Sequence, residues 1–221
     1  MRSSILIQSA ETSVVIDTTP DFRYQMLRIG NEKLDAVLFT HAHKDHTGGL
    51  DDVRAYNYFQ QKSMQVFATE ATQIGLKREY YYAFEAFKYP GVPQIELNTI
   101  GDKPFFVNEL KVTPIKAWHH YMPVVGFRLG DFTYITDANK IDDDQKNLIK
   151  GSKILVLNAL RREKHISHFT LGEAIALVNE LQIPCAYFTH ISHQMGLHEE
   201  VEKELPKHIH LAYDELSFEA E

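Results

Sequence analysis

The chain has 221 residues, 44% hydrophobic and 24% charged, which suits one globular domain over residues 1–221 with a substantial core. A formal net charge of −7 argues against a nucleic-acid track, which needs clustered Lys and Arg. The one cysteine, Cys185, rules out a disulfide within the chain and favours a reducing, cytoplasmic setting. No apolar run approaches the ~18 residues of a membrane span, and no signal-peptide core opens the sequence.

Residues 4–8 and 14–17 read as two strands joined by a short turn. Asp17-Thr18-Thr19-Pro20-Asp21 then opens a helix over 22–29, with Pro20 suited to a first turn. Residues 36–39 form a short buried strand, and a helix follows over about 49–61. Strand 64–68 and a mostly helical stretch, 70–87, come next. Pro90-Gly91-Val92-Pro93 breaks that stretch after a cluster of tyrosines and phenylalanines, which either walls a pocket or packs a core. Strands are predicted over 94–100, 105–107 and 110–118, with a hairpin of 124–129 and 132–136. A polar helix over 142–150 leads to strand 154–157. Thr170 and Glu173 form a capping box for a helix over 170–181. Strand 185–189 is apolar enough that Cys185 is expected in a core. A helix over 199–205 and two short strands, 209–212 and 216–218, end the chain.

The densest chemistry is Thr40-His41-Ala42-His43-Lys44-Asp45-His46, directly after strand 36–39. His41 and His43 are two apart and point the same way from an extended segment, so they can share one metal. Asp45 and His46 follow where the chain turns and can face a second. Imidazole and carboxylate suit zinc, manganese or iron, and no thiolate is offered. Three more ligand candidates lie at strand ends: His119-His120 after 112–118, Asp137 after 132–136, and His190 after 186–189.

The H-x-H-x-D-H loop resembles the signature of the metallo-β-lactamase superfamily. The resemblance implies an α/β fold of the four-layer αββα sandwich type, with two divalent ions at one edge. It implies that His41, His43 and His119 hold one ion, that Asp45, His46 and His190 hold the other, and that Asp137 bridges them. In relatives the ligand falls five positions after a proline and seven before a glycine. Pro114 and Gly126 both select His119, leaving His120 beside the ligands or facing the substrate. Asp17 matches an aspartate that holds the metal loop through hydrogen bonds.

Within the superfamily, Asp17-Thr18-Thr19-Pro20-Asp21-Phe22-Arg23-Tyr24-Gln25-Met26-Leu27 resembles the cyclic phosphodiesterases of phosphonate breakdown. So do the segments 160–171 and 189–193. In that branch, as in the tRNA 3′-processing ribonucleases, a histidine before the helix contacts phosphate or acts as general acid. His168 matches it, with His165 as a neighbour. Asp45, His168 and His165 are therefore the catalytic candidates. The implied reaction is metal-activated hydrolysis of a small or cyclic phosphodiester with zinc or manganese, iron being compatible. A carbon ester, lactone or thioester hydrolase, a tRNA-processing ribonuclease and a non-catalytic metal carrier stay open as alternatives. Members of the branch begin with a further strand and a cysteine-rich knuckle. The chain starts at the point that follows them, so its first sheet edge is expected to need cover, for example in a homodimer.

Overall fold

The computed structural model describes residues 1–220. It contains two mixed sheets flanked by helices, and the chain clusters into two compact units. The first unit comprises residues 1–101 and 105–110, and the second residues 102–104 and 111 onward.

The first unit is built on a five-stranded sheet. Its strands are β1 (Ile5–Gln8), β2 (Ser13–Ile16), β3 (Ala36–Leu38), β4 (Met64–Ala68) and β5 (Ile95–Thr99), in that spatial order. β1 and β2 form an antiparallel hairpin, and β2 to β5 run parallel. Parallel neighbours need crossovers, and helices supply them. α1 (Phe22–Arg28) links β2 to β3, α2 (Lys44–Thr47) and α3 (Arg54–Gln60) link β3 to β4, and α4 (Glu70–Glu79) links β4 to β5. β6 (Phe105–Val107) follows. The core gathers Val15, Val37 and Val66 from the strands, and Phe39 just past β3, against Phe22, Leu50, Val53 and Leu76. Gly49 is required where α2 ends. A Cβ there would stand 2.3 Å from the Thr19 carbonyl oxygen and 2.6 Å from the Phe22 Cβ.

The second unit carries β7 (Leu110–His119), β8 (Met122–Leu129), β9 (Phe132–Ile135), β10 (Ile154–Asn158), β11 (Cys185–Thr189) and β12 (Ile209–Leu211). They form consecutive strands of the second sheet, in the order β12-β11-β10-β9-β8-β7. The last four strands of the chain are parallel, while β7 and β8 are antiparallel hairpin partners. α5 (Asp143–Ile149), α6 (Leu171–Glu180) and α7 (His198–Glu204) make the crossovers. Ile135, Leu155, Leu157 and Phe188 pack with Ala174, Leu177 and Val178 of α6 into this unit's own core. The capping box forms as expected: Glu173 N–H donates to Thr170 Oγ1, and Thr170 N–H to Glu173 Oε2.

Some element limits differ from the sequence reading. The helix expected from Gly49 is a 3₁₀ turn, Leu50–Val53, before α3, and an extra single turn, α2, lies inside the histidine loop. The long helix expected to reach Phe87 stops at Glu79. Beyond it Tyr80 is buried and donates to the Thr47 carbonyl oxygen at 2.6 Å, while Tyr82 donates to Asp51 at 2.7 Å. Those two side-chain anchors hold the segment to the histidine loop's own crossover instead of continuing a helix. Residues 216–218 form no strand; Phe218 instead stacks on Tyr187, centroids 5.2 Å apart. Cys185 is half-buried at the start of β11, not in the core, because only alternate positions of that strand face inward.

Asp35 is the buried charge that anchors the start of β3. It accepts the Ser13 N–H at 2.9 Å and pairs with Lys62 at 3.0 Å and Lys33 at 3.1 Å. Burial pushes its pKa up, but the Ser13 N–H and the two lysines outweigh it and hold the carboxyl below its usual value. A carboxyl with a depressed folded pKa contributes its stability above the unfolded value and loses it as pH falls through the folded one. Asp35→Ala should therefore cost about 1.5–3 kcal/mol at pH 7, the range for hydrogen bonds to a charged group. Urea unfolding should show the gap between variant and parent narrowing in strong acid. An equal gap at both pH values would show that packing, not charge, supplies the stability.

Candidate metal centre

In the first unit the ligand candidates lie just past the C-terminal ends of parallel strands, where α/β sheets place their sites. β2 ends at Ile16 and β3 at Leu38, and these two are paired in register. Asp17 and the histidine loop therefore emerge side by side. Asp17 is fully buried in a left-handed conformation, φ 64°, which Asp tolerates better than most residues. Its Oδ1 accepts Thr40 N–H at 2.9 Å. Its Oδ2 accepts the Thr40 hydroxyl and His46 Nδ1, each at 2.8 Å.

Those contacts decide two tautomers. An ionised carboxylate only accepts, so His46 carries its proton on Nδ1. The Thr40 hydroxyl spends its proton on Asp17 and must accept from His41 Nδ1 at 3.0 Å. Both rings then present Nε2 as the lone-pair nitrogen, which is the form that binds a metal. The His41 ring centre lies 4.6 Å from that of His43 and 4.3 Å from that of His46. Asp45 Oδ2 is 3.5 Å from His46 Nε2. α2 thus turns Asp45 and His46 onto the same side as the two preceding histidines.

In the second unit, register does the same work. Leu157 of β10 pairs with both Ile135 of β9 and Phe188 of β11. Asp137 and His190, each two residues beyond those partners, leave the sheet at one level. Both are left-handed, φ 54°. His190 Nε2 lies 3.0 Å from Asp137 Oδ1. His119 closes β7, and its Nδ1 donates to the Ser167 carbonyl oxygen at 2.9 Å, leaving Nε2 as its lone-pair nitrogen. His119, Asp137 and His168 each offer a ligand atom, all within 4.8 Å of one another.

His120 takes a different course from His119. It is exposed, at φ 58°, with its ring beside Tyr121. Ahead of α6, Ser167 N–H and oxygen both reach His165 Nδ1, at 3.4 and 3.3 Å. His165 Nδ1 is the acceptor of that N–H, so the proton shared with His168 Nδ1 at 3.1 Å sits on His168. Burial, His168 and the Arg161 guanidinium hold the His165 pKa below the usual imidazole value, which keeps it in that neutral, accepting form. The buried His168 Nε2 has no hydrogen-bond partner among the described residues and lies 3.5 Å from Asp137 Oδ2.

Three supporting residues have no motif signal in the sequence. Ser167 fixes His119 through its carbonyl. Asn158, fully buried at the end of β10, clamps the backbone on either side of Ala138 at 2.8 and 3.0 Å and so holds Asp137's turn. Asn139 ties the His120 N–H to its side chain at 2.9 Å.

Imidazoles and carboxylates without thiolates form a donor set for zinc, manganese or iron. His41, His46 and His119 each spend Nδ1 in a hydrogen bond and so keep Nε2 as the metal-binding nitrogen. The residues present therefore fit a divalent ion.

Residues 12–191 match the model of the β-lactamase superfamily domain. A solved structure described as a new diphosphatase of the PhnP family is 36% identical, with a TM-score of 0.92, covering 100% of this chain and 85% of that one. Zinc-bound PqqB from Methylobacterium extorquens shares the fold at 18% identity and a TM-score of 0.78, over 99% of this chain and 87% of that one. A protein of Porphyromonas gingivalis (strain ATCC BAA-308 / W83) named octanoyltransferase is 36% identical over 216 residues, 97% of this chain. The chain spans only 44% of that relative's length. With histidine and aspartate clusters where the two sheets' parallel strands end, and with these matches, the chain belongs to the metallo-β-lactamase superfamily and has its α/β fold.

Proposed function

We propose that the protein is a binuclear metal-dependent hydrolase of small phosphoesters, either a phosphodiester or the diphosphate linkage named for its 36%-identical structural relative. The observation that carries this reading is His168, whose Nε2 is aimed at Asp137 while its Nδ1 is tied to His165. The ligand set rests on the superfamily resemblance: His41, His43 and His119 for one ion, Asp45, His46 and His190 for the other, and Asp137 shared. Two such ions, when bound, activate water at neutral pH and neutralise phosphoryl oxygens.

The chain's own residues supply the rest. Asp17 and Ser167 hold His41, His46 and His119 in the ligand tautomer. His168, with its Nδ1 proton fixed, carries its second proton on Nε2 and gives it to the leaving oxygen. His165 holds the ring in place by accepting that Nδ1 proton.

A second reading has one observation in its favour. The Porphyromonas relative is named for moving an octanoyl group, so an acyl ester or thioester is the competing substrate. A panel of an aryl phosphodiester, an alkyl phosphodiester, a nucleoside diphosphate ester and an octanoyl thioester separates the two. Turnover of phosphoesters alone supports the proposal, and turnover of the thioester alone overturns it. Elemental analysis should find two ions per chain. His119→Ala should lower that number by one, while His120→Ala should leave it unchanged. The reverse pattern would show that His120 is the ligand.

A further inference from the structure

We infer that the β7–β8 turn is a stacking platform for an aromatic group, a nucleobase or an aryl ring, on the substrate. The inference deepens the phosphoester reading and rests on it for the position of the reacting group.

His119 pairs with Met122 across the hairpin, so His120 and Tyr121 are the whole turn. Two-residue hairpin turns favour Gly, Asn or Asp at positive φ. Here a histidine at φ 58° and a tyrosine stand instead. Neither is a good turn former, and neither is used for packing. Tyr121 is 84% exposed, and its ring lies 3.8 Å, centre to centre, from that of His120. The two rings are tilted 47° to one another, so the turn offers two separate aromatic faces, and that of Tyr121 stands largely in solvent.

The platform is also rigidly placed. Asn139 Oδ1 accepts the His120 N–H, Asn139 N–H donates to the Trp118 carbonyl, and Asn139 Nδ2 donates to the Ile166 carbonyl at 2.9 Å. One asparagine thus ties the turn to the loop of Asp137 and to the loop of His165 and His168. Ile166 itself is 69% exposed. A loose hairpin tip would need none of these bonds. Here they fix the turn's backbone beside His119 and the loops that carry Asp137 and His168.

Aromatic side chains that stack a base tolerate its identity, because every base has a π-face. A ring held here would be recognised by shape and polarisability, with no base-specific hydrogen bond. Discrimination should therefore fall between substrates with and without a ring.

Adenosine 5′-monophosphate and ribose 5-phosphate carry the same phosphate on the same sugar and differ by the base. Their affinities for the metal-loaded protein, measured by calorimetry, test the platform directly. The parent protein should bind the nucleotide more tightly. Tyr121→Ala should weaken the nucleotide about 5- to 160-fold, the equivalent of ~1–3 kcal/mol of stacking at 1.36 kcal/mol per tenfold. It should leave ribose 5-phosphate and the metal content unchanged. Tyr121→Phe, which keeps the ring, should bind like the parent. Phenyl phosphate in place of the nucleotide tells an aryl from a nucleobase preference, and loss of either ring's advantage in Tyr121→Ala supports the platform.

Equal binding of nucleotide and sugar phosphate by the parent overturns the inference, as does a Tyr121→Ala variant that weakens both alike. A protein that hydrolyses phosphoesters yet shows no ring preference retains the function and loses the platform. One that shows the Tyr121-dependent preference but hydrolyses no phosphoester retains the platform and loses the function.

Discussion

His168→Ala should slow hydrolysis of an alkyl phosphodiester by ~10²–10⁴, the usual contribution of a positioned general acid. An alkoxide leaves poorly unless it is protonated, whereas an aryl oxide leaves nearly unaided. The same variant should therefore slow an aryl phosphodiester far less. The structure adds an outcome that the sequence alone does not raise. His168 shares a cluster with His119 and Asp137 close enough to bind an ion together. Metal content must then be measured beside rate. Unequal losses on the two substrates at full metal content identify the acid. Equal losses at full metal content identify a contact to the phosphate. Loss of an ion makes His168 a ligand and moves the acid elsewhere. His165→Ala should give a smaller loss, since His168 keeps Nε2 but loses the acceptor that fixes its ring.

How the chain revealed itself differs between its parts. The histidine loop was legible because six consecutive positions after an apolar strand carry four ligand-type side chains, and no packing argument wants them there. Strands β9, β10 and β11 were legible as apolar runs, so Asp137 and His190 could be placed at strand ends. Their common level could not be read, because strand register is set by pairing across the sheet. Ser167 was invisible for a related reason. It acts on His119 through a backbone carbonyl, and every residue has one. The helix that stops at Glu79 was overread because the sequence shows no breaker before Pro90. Two tyrosine hydroxyls bonded to residues thirty-odd positions away decide otherwise. His120 and Tyr121 fell between two expected strands, 110–118 and 124–129, whose pairing as a hairpin was not read from the sequence. Their exposure and anchoring belong to Asn139, which has no signal of its own.

Asp17→Asn should weaken metal binding while barely changing the shape of the loop. Asparagine accepts a left-handed backbone, so φ 64° is no obstacle, and its volume matches. What changes is the donor pattern. The aspartate accepts three hydrogen bonds, from Thr40 N–H, the Thr40 hydroxyl and His46 Nδ1. An asparagine offers one oxygen and one NH₂ group in their place. If its oxygen keeps the Thr40 N–H, its NH₂ faces the other two. The Thr40 hydroxyl can rotate to accept it and then donates to His41 Nδ1. His46 Nδ1 can also accept, but only by shifting its own proton to Nε2. Both imidazoles are thereby driven to the tautomer that blocks the ligand nitrogen. Affinity for the ions should fall by the ~10–100-fold typical of lost ligand-orienting bonds. Chelator competition should show it in His46's ion first, since that ring bonds Asp17 directly. Thr40→Val removes only the His41 branch and should weaken binding less. If Asp17→Asn binds metal like the parent and merely unfolds at lower urea, the buried carboxylate serves the fold alone and the tautomer argument fails.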